Sequence, residues 1–278
     1  MWGFLIFMSS LSACNNIAEQ QLESAAPTLQ TSRTKPTSVG AIPLPKGYTR
    51  LTSKQGDYQH FLRGIALKPG NTVYLYNGQK KRNQSAQYAV LALDVGTTDL
   101  QQCADAVMRL RAEYLFQQKQ YSSISFDFTN GFACNFEHYA KGYRLRINGN
   151  KTNWVKQKSE SYSHSTLRQY LDLVYSYAGT LSLHRQLQAV PLSKIESGAV
   201  FIQTGNPYGH AVTVMDMAYN PTTKDTIFLL SQSYMPAQDI HILANPSDEK
   251  LSPWYSVKFA EELRTPEWTF TKNDLRKF

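Results

Sequence analysis

The sequence predicts a mixed α/β fold of the α+β kind in a single domain, helices first and an antiparallel sheet after. Three observations predict it. Apolar residues recur at helical spacing around residues 100–114 and 165–178, short apolar strands separated by polar turns crowd the C-terminal half, and no repeat or second linker divides the chain. With 278 residues, 42% of them apolar, there is enough side-chain surface for a full hydrophobic core.

Residues 58–67 are expected to form a short helix, and 72–76 a strand closed by Asn77-Gly78, a dipeptide suited to tight turns. Residues 88–93 read as a strand. The clearest helix follows. Thr98 or Asp99 supplies its cap and Gln101 or Gln102 the capping-box partner, while Leu100, Cys103, Ala104, Val107, Leu110 and Tyr114 repeat along one face. Ile124, Phe126 and Phe128 alternate before Asn130-Gly131, and Tyr143, Leu145 and Ile147 before Asn148-Gly149, so both runs read as strands. A long helix is expected from about Ser165 to Ala178, ended or kinked by Gly179. Strands at 199–202, 211–217 and 226–230 complete the set.

The N-terminus suggests export. Trp2 to Met8 is almost wholly apolar, and Leu11-Ser12-Ala13 sets small residues before Cys14, a pattern that resembles the bacterial lipobox. The apolar run falls far short of the roughly 18 to 20 residues of a membrane-spanning helix. Residues 1–13 are therefore expected to be a lipoprotein signal peptide, with Cys14 lipidated after cleavage. Residues 14–40, rich in Ser, Thr, Gln, Ala and Pro and without an apolar period, read as a disordered tether, leaving 41–278 as one globular domain. The expected setting is the cell envelope, with the lipid anchor holding the chain to a bacterial membrane on its periplasmic or cell-surface face.

The formal net charge of +8 favours anionic neighbours such as peptidoglycan, an acidic glycan or lipid head groups. Nucleic acid is not expected, because the 29 Lys and Arg are scattered and their longest run is Lys80-Lys81-Arg82. Neither a metal nor another cofactor is expected. The six histidines lack zinc-site spacing, and no phosphate-binding glycine motif occurs. Arg109 and Glu113 form an i,i+4 pair of small weight, and Trp254, Tyr255 and Trp268 beside prolines suit either a core corner or a sugar-stacking surface.

Several longer blocks carry a family resemblance. The stretch from Asp99 to Tyr114, Tyr177-Ala-Gly-Thr-Leu-Ser-Leu, Gly209-His-Ala-Val, Gln232-Ser-Tyr-Met-Pro-Ala-Gln-Asp-Ile-His, Ser252-Pro-Trp-Tyr and Thr265-Pro-Glu-Trp resemble a bacterial lipoprotein family, domain of unknown function 4846. The resemblance spans about Gly47 to Phe278. It implies an extracytoplasmic lipoprotein with one domain, and brings no activity with it.

A second, weaker analogy is to papain-like folds of the NlpC and CHAP type. Gly198-Ala-Val-Phe-Ile followed by Gly209-His210-Ala-Val-Thr-Val is similar to their strand, turn and histidine-bearing strand. The analogy implies Cys103 as nucleophile, His210 as base, and Gln232 or Asp216 as the group behind the imidazole, with Gln102 available to an oxyanion. Asp216 lies six residues beyond His210, the same side of a regular strand by period two. Two departures from the NlpC pattern stand out. Ala199 occupies the position of a common Asp, and Gly179-Thr180-Leu181-Ser182 stands where a Cys would be expected, leaving Thr180 or Ser182 as a helix cap or substitute nucleophile.

Blander readings stand beside these. Cys103 also fits an inert place on the apolar stripe or a disulfide with Cys134 in an oxidising compartment, and His210 fits a structural role. Two functions follow. One is a papain-like cysteine hydrolase, a peptidase or amidase acting on cell-wall peptide or another amide; the other is a non-catalytic surface or periplasmic binding lipoprotein on a hydrolase-like scaffold.

Overall fold

A computed structural model describes residues 35–149 and 151–278. The lipobox, Cys14 and most of the expected tether lie outside the described residues. The helices are α1 (Tyr58–Gly64), α2 (Cys103–Gln117), α3 (Phe136–Ala140), α4 (His164–Tyr177) and α5 (Thr180–Gln186). The strands are β1 (Thr49–Arg50), β2 (Gln87–Val90), β3 (Ser125–Asp127), β4 (Ala133–Asn135), β5 (Tyr143–Asn148), β6 (Lys151–Lys156), β7 (Gln188–Ala189) and β8 (Val200–Gln203). They continue with β9 (His210–Asn220), β10 (Asp225–Gln232), β11 (His241–Leu243), β12 (Tyr255–Ser256), β13 (Glu262–Arg264), β14 (Thr269–Thr271) and β15 (Leu275–Lys277). Among these residues no helix is long and apolar enough to cross a membrane.

The fold is a mixed α+β architecture built on one antiparallel sheet, ordered β2-β11-β10-β9-β8-β15-β7, with β1 joined to β9 and β12 to β10. β9 and β10 are buried along nearly their whole length, so both their faces must be covered. One face carries the helices. Ala104, Val107 and Met108 of α2 pack with α4, α5, Val200, Ile202 and Ala211, while Ala106 and Leu110 pack with Leu62 of α1, Met215 and Leu229. The other face is closed by the β13–β14 hairpin, β12 and β15, whose Leu263, Phe270, Tyr255 and Leu275 meet Phe201, Val212, Val214, Phe228 and Leu230.

Most expected elements form. The hairpins closed by Asn130-Gly131 and Asn148-Gly149 join β3 to β4 and β5 to β6. The differences have local causes. Residues 72–76 make no strand, only isolated bridges from Tyr74 to Lys80 and Leu75 to Gln238. Helix α2 starts later than its polar run suggested, with Gln102 as N-cap and Asp105 accepting the Gln102 N–H at 2.9 Å. Asp99, an expected cap, instead accepts the distant Ala237 N–H at 2.7 Å. Just before the expected domain start at 41, Val39 is fully buried and Ser38 bridges Ala66. Trp254 and Tyr255 are core residues, Trp254 donating to the Pro43 carbonyl at 2.8 Å.

Candidate functional site

Where β9 begins, backbone geometry decides what the strand presents. A Cβ at Gly209 would overlap the Gln203 carbonyl, so only glycine lets the strand start this close to β8. His210 follows, paired with Gln203 in the ladder. Val212 and Val214 belong to the face away from α2, whereas Ala211 packs against α2. By strand alternation His210 points away from α2. Its ring lies 4.9 Å from Tyr234, 5.2 Å from Trp268 and 5.9 Å from Phe270, measured between centroids.

On that face a buried polar row crosses β9, β10 and β11. His210 Nε2 lies 2.9 Å from Gln232 Oε1, and the Gln232 amide nitrogen lies 3.3 Å from His241 Nε2 and 2.7 Å from Glu267 Oε2. Glu267, in the loop between β13 and β14, also takes the Lys81 ammonium at 2.5 Å and the Asn83 amide at 3.1 Å. His241 Nδ1 lies 2.9 Å from the Asp239 carbonyl. These bonds set the tautomers. The carboxylate orients the Gln232 amide, so Oε1 faces His210 and His210 must donate from Nε2. His241 donates from Nδ1 to the Asp239 carbonyl and accepts at Nε2. Both rings are thereby held neutral: burial, its effect outweighing the Gln232 bond, pushes His210 down to about 4, and burial with the Lys81 charge pushes His241 down to about 3.

Of the four residues expected to form a catalytic group, only His210 and Gln232 are brought together. Cys103 is the first residue of α2, and its thiol lies 3.8 Å from the Gly209 carbonyl. No hydrogen bond joins it to His210, whose Nε2 goes to Gln232. Burial, then the Asp105 carboxyl, pushes the Cys103 thiol up to about 12. Cys103 and Cys134 are both buried free thiols, so the disulfide alternative does not form. Gln102 turns its amide to Asp99 at 3.2 Å. Neither Thr180 nor Ser182 meets the histidine row; Ser182 caps α5 by accepting the Gly179 N–H at 3.1 Å.

Asp216 is displaced by a bulge. Leu229 pairs with Asp216 but Leu230 pairs with Val214, so Met215 is an extra residue in β9. Alternation resumes on the opposite phase, and Asp216 turns from the His210 face to the α1 side. There Arg50 Nε and Arg63 Nε hold its two oxygens at 2.7 and 2.5 Å. Its role is to tie β1 and α1 to the sheet.

Sequence reasoning missed Glu267, Lys81 and His241. The signal for His241 was available, since Gln232 and His241 bracket one of the quoted family blocks and pair directly across β10 and β11. Glu267 and Lys81 carried none, each arriving from a loop far along the chain. Among the described residues no group of three or more His, Cys, Asp or Glu side chains is placed to hold a metal ion.

A family model described as domain of unknown function (4846) matches residues 40–277. No curated protein and no solved structure matches the chain.

Proposed function

This chain belongs to the family of domain of unknown function 4846, and we propose that its folded part is a non-catalytic binding module of the cell envelope. One observation carries the choice of binding over cysteine hydrolysis. The Cys103 thiol and the His210 imidazole are not hydrogen-bonded to each other, and each has another partner, Gly209 for the thiol and Gln232 for the ring. A nucleophilic thiolate needs an adjacent base or cation to lower its pKa, whereas burial raises this thiol. The +8 net charge suits an anionic partner such as peptidoglycan or an acidic glycan, and a lipidated Cys14 would hold the module to the membrane.

The hydrolase reading keeps one supporting observation. His210 donates from Nε2 to a glutamine amide and leaves Nδ1 bare, the tautomer a thiol-activating base requires. Iodoacetamide labelling of the folded protein between pH 5 and 9 separates the two. On the binding reading Cys103 labels slowly throughout, at the same rate in His210→Ala, and reacts only on unfolding. Fast labelling at pH 6 that slows in His210→Ala would overturn it.

A further inference from the structure

Strand alternation hides one concentration of charge from any count along the chain. Residues 143–158 carry five of the 29 Lys and Arg and no Asp or Glu. They form the β5–β6 ribbon and its exit, and the register of the ribbon sorts them by face. Tyr143, Leu145 and Trp154 share one face, on which Leu145 and Trp154 pack against the core and the Trp154 ring lies 5.6 Å from His138. The other face sets Arg146 opposite Asn153 and Asn148 opposite Lys151, all four exposed. Cations therefore stand on one diagonal and amides on the other, at the roughly 7 to 8 Å of diagonal neighbours in an antiparallel pair.

These groups are not committed within the protein. Elsewhere carboxylates hold the basic side chains, Asp216 holding Arg63, Asp239 holding Lys68 and Glu267 holding Lys81. Within the ribbon, Arg144 lies over the Tyr139 ring at 3.7 Å and donates to the Tyr139 carbonyl, and Lys156 donates to the Lys141 carbonyl. Among the described residues, the side chains of Arg146, Lys151 and Asn153 have no hydrogen bond or ion pair. Asn153 lies inside β6, where asparagine is a poor strand former, and it gains no bond to offset that cost. A ribbon face that had only to stay soluble would mix charges of both signs and use strand formers such as threonine. The four exposed positions here hold cations and amides alone.

We propose that this face of the β5–β6 ribbon binds a carboxylate-bearing glycan, with Arg146 and Lys151 taking its carboxylates and the Asn153 amide exchanging hydrogen bonds with sugar hydroxyls. The inference rests on the binding reading above and names its surface and the class of its partner. The planar Arg fork matches a carboxylate, and an amide both donates and accepts, as sugar hydroxyls do. An anionic membrane is the poorer fit, because the four exposed positions include no apolar side chain to enter it. Single-stranded nucleic acid is poorer too. The rings of the ribbon, Tyr143 and Trp154, lie on the opposite face and offer no stacking platform to a base.

The test is a titration at low salt followed by backbone amide NMR shifts at residues 143–148 and 151–156. The probes are a galacturonate trimer and its methyl ester, which keeps the hydroxyls and removes most of the charge, with phosphatidylglycerol vesicles and a short DNA strand as rivals. The trimer should saturate these shifts with a Kd of about 10 mM or tighter, and the ester should bind at least about tenfold more weakly. Arg146→Gln with Lys151→Gln should weaken the trimer about tenfold. Lys80→Gln with Arg82→Gln removes the same charge from another exposed segment and should change binding less than about twofold. Asn153→Thr should weaken the trimer about twofold or more while the thermal midpoint holds or rises. The proposal is overturned by no saturation, by equal binding of the ester, by unchanged binding in either ribbon variant, or by an equal loss in the Lys80 and Arg82 variant. Tighter binding of the vesicles or the DNA through these residues overturns it as well. Trimer binding that maps elsewhere would remove this surface and leave the binding reading standing, whereas rapid His210-dependent labelling of Cys103 would remove that reading and leave this titration standing.

Discussion

Replacing His241 by Asn separates the acid sensitivity of the polar row from that of the rest of the protein. His241 is fully buried, donates from Nδ1 to the Asp239 carbonyl and accepts at Nε2 from Gln232. A proton added at Nε2 would face the Gln232 N–H, and turning that amide over would break its bonds to His210 and Glu267. The ring titrates at about 3 in the folded chain against an ordinary value of 6.5. For a depressed histidine the stability contribution is complete above the unfolded value and is lost as pH falls from 6.5 towards 3. Each pH unit in that window costs about 1.4 kcal/mol, so acidification from pH 7.5 to 5 should remove about 2 kcal/mol through this residue.

Wild type alone would conceal the loss. Burial raises Asp105 to about 8, so its protonation stabilises the folded state as pH falls through that value. The useful quantity is the difference between wild type and His241→Asn in urea unfolding. Wild type should lose about 2 kcal/mol relative to the variant between pH 7.5 and 5, through a shift in midpoint at constant slope. A difference that stays constant over that range would refute the assignment of a neutral, acid-resistant imidazole.

The remaining predictions address other parts of the molecule. Glu267→Gln leaves the buried Lys81 ammonium without its carboxylate and should cost about 3 to 5 kcal/mol by chemical denaturation, with Lys81→Met in the same chain recovering part of the loss. A chain starting at Lys35 should keep the thermal midpoint of the full protein, whereas one starting at Ala41 loses Val39 and the Ser38–Ala66 bridge. That should lower the midpoint by roughly 5 °C, from about 2 kcal/mol of lost burial. In the native host, intact mass should reveal a mature chain beginning at a lipidated Cys14, and Cys14→Ala should abolish membrane partitioning; an unmodified Met1 start would refute the export reading.

Helix α2, the two Asn-Gly hairpins and strands β8 to β10 could be read from the sequence because each rests on a local period or a turn dipeptide. The same local logic placed Cys103 near a helix start and His210 at a strand start, with Gln232 just past the next strand, which in fact runs on to Gln232. It failed at Asp216, where counting by twos assumes an unbroken strand and Met215 inserts one extra residue. It failed again at the α2 cap, because Asp99 suits an N-cap as well as the distant Ala237 amide that claims it.

By itself, then, the sequence determined one α+β domain with its main elements and membership of its family, and it offered Gln232 and Asp216 alike as the partner of His210. Tertiary structure alone decided that the Cys103 thiol meets the Gly209 carbonyl while His210 meets Gln232, and that Glu267 and Lys81 complete the row from loops far apart in the chain. It also left Asp105 Oδ1 and the Tyr175 hydroxyl buried without hydrogen-bond partners. The physical reason is that periodicity reports which residues share a face of one element. Which face meets which neighbour depends on bulges and long-range hydrogen bonds, whose partners no local window contains.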